Sequence, residues 1–93
     1  MSGKTSGLYL LSLTLNTLTK WINAENEINQ KEHIKVATIR AKQTATTLQA
    51  VGILTITQLD FMKRYIDKMV DKTTTAEDRL KAYEIVEDGI RED

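Results

Sequence analysis

The sequence predicts an all-α fold: a three- to four-helix bundle, or a long helical hairpin with a shorter helix pair packed on it. Three observations carry the prediction. The 93 residues include no Pro and only four Gly, so little forces a break in a helix. Apolar residues recur at alternating spacings of three and four along most of the chain. In the second half, Thr residues stand where they can cap the start of apolar runs.

The first segment covers residues 5–30. Leu8, Leu11, Leu15, Leu18 and Ile22 fall on one helical face, and Leu10, Leu13, Trp21 and Ile28 on a second, nearly opposite one. A helix apolar on two sides is either sandwiched or part of an interface. The stretch from Leu11 to Asn16 also alternates with period two, the strand signal. A small α+β fold with a strand near residues 9–17, paired with residues 52–57, is therefore the alternative. The Leu-rich content and the longer three-four pattern favour helix. Residues 1–6 are expected to form a disordered N-terminus.

The second segment covers residues 31–51, with the stripe Ile34, Ala37, Ala41, Thr44, Leu48 and Val51. Its small side chains let a neighbouring helix approach closely. Val36 and Ile39 lie off that stripe as a second apolar patch. Gly52 is the natural stop, because Gly tolerates the left-handed conformation that closes many helices. Asn23, Asn26 and Asn29 are weak breakers, so one continuous helix through both segments stays open.

The third segment covers residues 56–72, capped by Thr55 with Gln58, and its stripe is Ile56, Leu59, Met62, Ile66, Met69 and Val70. The fourth covers residues 75–90, capped by Thr74 with Glu77. Its stripe is Leu80, Tyr83, Val86 and Ile90, and Ile85 is left on the other side. The 13 Thr residues weigh slightly against helix, because β-branched side chains lose rotamer freedom there.

A chain this short is one domain, residues 1–93, with limited capacity to bury a core. The lack of Cys fits a reducing compartment. No run approaches the roughly 18 apolar residues of a membrane span. Lys4 ahead of Leu8 to Leu15 has the outline of a secretory leader, but Ser12 and Thr14 interrupt it and no small-residue cleavage site follows. The expected location is cytoplasmic, or the virion if the protein is phage-encoded.

Formal charge is zero, yet residues 31–50 carry a net +3 and residues 73–93 a net −4. Blocks of opposite sign can attract within one fold or between copies. Lys31, Lys35 and Lys42 align on one helix face and are candidate weak phosphate contacts.

Catalytic, cofactor and metal signatures are not found. Ser2-Gly3-Lys4-Thr5 has the ending of a phosphate-binding loop but lacks the earlier Gly and the feeding strand. His33 is the single histidine, so neither a multi-histidine metal site nor a Glu-x-x-His pair can be built. The acids Glu84, Glu87, Asp88, Glu92 and Asp93 read as a solvated tail. No cofactor is expected.

These readings point to a non-enzymatic helical interaction or assembly protein, a subunit of a homo-oligomer or of a larger complex. Its candidate partner interface is Tyr9, Leu10, Leu13, Trp21, Ile28, Val36 and Ile39. The length, Thr content and lack of Cys and Pro are in the style of a phage or mobile-element product. Two alternatives are a nucleic-acid-binding accessory protein using the Lys31, Lys35 and Lys42 face, and a small inhibitor or immunity-type protein acting by occlusion through its acidic tail.

Overall fold

The computed structural model describes residues 3–25 and 27–92. Among these described residues there are four helices: α1 (Gly3–Asn23), α2 (Gln30–Ala50), α3 (Ile56–Asp71) and α4 (Ala76–Arg91). The first two run 21 residues each and the last two 16, which is the long hairpin with a shorter pair. Each helix packs on its neighbours in the ring α1, α2, α3, α4, while α2 and α4 stand diagonally and share no contact among the described residues.

Residues 9–17 lie inside α1, so the strand alternative does not hold. The reason is visible in burial. Leu8, Leu11 and Leu18 are fully buried, whereas Leu13, which created the alternation, points outward. The expected disorder of the N-terminus, residues 1–6, is corrected for residues 3–6: α1 starts at Gly3, Thr5 is buried, and Lys4 pairs with Glu92 at 3.7 Å. Residues 1 and 2 lie outside the described residues.

The Thr-rich helices are reconciled with their composition by local hydrogen bonds. The hydroxyls of Thr14, Thr19, Thr38 and Thr46 donate to the carbonyls of Leu11, Leu15, Ile34 and Lys42 at 2.7–3.0 Å. Each bond satisfies the hydroxyl within its own helix.

α1 and α2 are separate helices. The amide of Gln30 reaches back and its Nε2 donates to the carbonyls of Trp21, at 3.0 Å, and Ile22, at 3.3 Å. It thereby adds a donor to two carbonyls of the last turn, where a helix runs short of them; Trp21 O also accepts the Ala24 amide at 3.3 Å. Asn29 starts α2 from a left-handed conformation, φ 63°, which Asn tolerates better than most residues. Ile28 therefore sits in the connection and not on the second face of α1, where its spacing had placed it.

Gly52 ends α2 as expected, at φ 82°. The Ile53 amide bonds Leu48 O at 2.8 Å and the Gly52 amide bonds Gln49 O at 3.0 Å, a Schellman motif. Lys72 does the same work after α3 with a side chain: at φ 59° its amide bonds Met69 O, and the Thr73 amide bonds Lys68 O. A non-Gly residue in this region costs about 1 kcal/mol. Lys72→Gly should thus raise stability by about that amount and the thermal midpoint by roughly 4 °C. A midpoint that stays put or falls in a melting curve would show that the Lys72 side chain contributes contacts of equal worth.

Both short helices open with capping boxes. That of α3 is Thr55 with Gln58, as read from the sequence. That of α4 is Thr75 with Asp78, one residue later than Thr74 with Glu77. Three consecutive Thr made the register ambiguous, and the aspartate resolves it. Asp78 accepts from the Thr75 amide at 3.1 Å and meets Lys68 Nζ at 3.3 Å. The Thr75 backbone bond first, and Lys68 beside it, hold its carboxyl below the ordinary value of 3.8.

The core is built in two clusters. One gathers Leu8, Leu11, Ala45, Leu48, Leu54, Leu59, Met62, Ala82 and Val86; the other holds Leu18, Ala37, Ala41 and Ile66, and Leu15 packs against both. Three stripes shift from their predicted positions. On α2, Ala45 is buried and Val51 is exposed; on α3, Ile56 and Val70 face water. The largest rotation is on α4, whose buried side runs through Ala82, Ile85 and Val86 and leaves Leu80 and Tyr83 outside. Gly89 explains it: a Cβ there would come within 2.5 Å of the buried Leu8 Cδ1. Small residues let α4 press close against α1, and a count of large apolar side chains does not see them.

Candidate interaction surface

On the outward side of the α1–α2 hairpin, Leu10, Leu13, Thr14 and Thr17 of α1 meet Ala37 and Arg40 of α2 around a shallow groove of about 210 Å³. Leu10 is 53% exposed and Leu13 61%. Tyr9 is exposed one position along. From Thr5 to Thr19 the chain carries no charged residue, so this flank of α1 is uncharged as well as apolar. It faces water because α1 has already spent its other side on α2 and α4.

The remaining predicted interface residues separate. Trp21 is partly buried on the second core cluster and stacks on His33, with ring centroids 3.9 Å apart and planes 8° from parallel. The pair closes one end of the hairpin, which gives the lone histidine a packing role. Ile28, 83% exposed in the connection, lies apart from the groove residues. Val36 and Ile39 are exposed on α2, as read from their spacing.

The three lysines differ in their surroundings. Lys42 is tied to Asp67 of α3 at 2.6 Å, which leaves Lys31 and Lys35. Sequence reasoning missed a further exposed apolar pair, Leu80 (58%) and Tyr83 (60%) on α4, because both read as core. Their i,i+3 spacing was the available signal, assigned to the wrong side of the helix.

A wider cleft of about 500 Å³ lies at the foot of the bundle between α3 and α4. Most of its charged groups are engaged with the fold: Lys4 pairs with Glu92, Asp88 with Arg91 at 3.9 Å, and Lys81 Nζ sits 4.7 Å over the Phe61 ring, while Glu84 enters none of the described salt bridges. Among the described residues no buried side-chain nitrogen or oxygen lacks a hydrogen-bond partner. No described group of three or more His, Cys, Asp or Glu could hold a metal ion. Burial pushes the Tyr65 phenol above its ordinary 10.0, with Arg79 offsetting part of the rise, so it stays neutral across the physiological range. No described helix is long and apolar enough to cross a membrane.

In comparisons with known proteins, no family model, no curated protein and no solved structure matches this chain.

Proposed function

We propose that this chain is a non-enzymatic helical interaction or assembly module, a subunit of a homo-oligomer or larger complex, and that the outward side of its α1–α2 hairpin is the docking face. The observation that carries the reading is the exposure of Leu10 and Leu13 on a helix flank without a single charge. Interface cores are depleted of charge and enriched in aromatic and apolar side chains, and this flank, with Tyr9 beside it, has that character. Its Thr-rich, Cys-free and Pro-free composition suits a phage or mobile-element product working in the cytoplasm or a virion. The nucleic-acid reading is weaker, since Asp67 already neutralises one of its three lysines.

The double variant Leu10→Ser, Leu13→Ser tests it. Both side chains are solvent-facing, so the fold should hold, as checked by circular dichroism. Size-exclusion with light scattering should show the native protein above its 10.6 kDa monomer mass, or bound to a co-purifying partner, and the variant without that species. A native chain that is strictly monomeric and retains no partner, or a variant that assembles equally well, overturns the reading.

A further inference from the structure

The basic block of the chain falls on α2 and most of the acidic block on α4, and these two helices stand on opposite corners of the bundle. They do not meet within one molecule. Among the described residues, Lys31, Lys35 and Arg40 of α2 enter none of the salt bridges of the fold, nor do Glu77, Glu84 and Glu87 of α4. Each outward ridge also carries an exposed apolar pair at i,i+3 spacing: Val36 and Ile39 on α2, Leu80 and Tyr83 on α4. One ridge is therefore apolar with a cationic border, broken by Glu32, and the other is apolar beside Glu77, Glu84 and Glu87, on a helix that stays net negative although it also carries Arg79, Lys81 and Arg91.

We infer that the occupant of each ridge is a second copy of this chain: the α2 ridge of one molecule docks on the α4 ridge of the next. Three features select this partner. The borders are opposite in sign, which steers and registers an encounter. The apolar pairs are matched in spacing. Self-pairing of either ridge would set like charges against each other. The contact joins two different surfaces on opposite sides of the molecule, so it is heterologous and links molecules head to tail, into a ring or an open array. It rests on the assembly reading above but, Arg40 apart, uses residues outside the α1–α2 groove, so the two can fail separately.

The test is sedimentation velocity on the full chain across a range of protein concentrations. Salt is raised from about 0.1 M to about 1 M, which shortens the screening length from about 10 Å to about 3 Å. The expected result is concentration-dependent assembly at low salt that is lost at high salt. Two charge-reversed proteins sharpen it: Lys31→Glu with Lys35→Glu, and Glu84→Lys with Glu87→Lys. None of these four residues lines the α1–α2 groove. Each variant alone places like charges on both ridges and should remain monomeric at low salt. An equimolar mixture of the two restores opposite signs at every junction and should assemble again. Native protein that stays monomeric at low salt, assembly that persists in both variants, or a mixture that fails to recover would each overturn the inference. Assembly that survives both reversals yet is abolished by Leu10→Ser, Leu13→Ser would sink the ridge contact and leave the hairpin face standing.

Discussion

Leu11→Ala should cost about 2–5 kcal/mol, the range for emptying a fully buried leucine site. Leu11 has no exposed surface and sits in the larger core cluster, where residues of all four helices converge. Neighbours fixed by their own helices cannot collapse into the space, so the loss combines burial with a cavity. A domain of this size is stable by only roughly 5–14 kcal/mol. The thermal midpoint should fall by about 10 °C or more. Urea unfolding followed by circular dichroism measures it directly. A loss below about 1 kcal/mol would mean that the cluster repacks freely, against the interlocked core described here.

Ala41→Leu should be destabilising by about 1–3 kcal/mol, although leucine is nearly as good a helix former as alanine. Ala41 is fully enclosed with Leu18, Ala37 and Ile66, where α1, α2 and α3 pack together. Added carbons must force the helices apart or displace Leu18 and Ile66 from their rotamers. Ala50→Leu is the control, since Ala50 at the end of α2 is exposed. There the change should stay within about 0.5 kcal/mol. Equal effects at the two positions would remove close helix approach as the explanation.

The parts of the fold that large side chains and caps dictate were legible in the sequence. The core face of α1 could be read because Leu8, Leu11, Leu15 and Leu18 give four strong marks at helical spacing. Gly52 and the Thr55–Gln58 box could be read because each has a mechanism tied to residue type. Helix α4 could not be aimed in the same way. Its inward side is set by Ala82 and Gly89, whose contribution is the absence of bulk, and bulk is what periodicity counts. The break between α1 and α2 was hidden for another reason. It depends on the Gln30 side chain folding back over the end of α1, a contact eight and nine residues long that no local propensity encodes.

The candidate surface followed the same division. Leu10 and Leu13 were recognisable as surplus because the opposite face of α1 was already full. Ile28 was grouped with them by spacing alone and fell away when the helix stopped at Asn23. Leu80 and Tyr83 were hidden inside a stripe that looked like core. Charge blocks were visible, but whether they would neutralise each other at home depended on which corners of the bundle their helices occupy, a property of topology.

The pairing of Lys4 with Glu92 sets the two described ends of the chain side by side at one pole of the bundle. Mechanical load applied through those ends would act across the helix pair, not along it. The seam between α1 and α4 would open turn by turn from that pole, like a zip, with little resistance from the interlocked length beyond. A load entering through the Trp21–His33 turn and leaving through the ends would pull along the helix axes and would have to shear packed helices past one another at once. The same molecule is thus compliant in one direction and stiff in another, and the placement of its ends decides which.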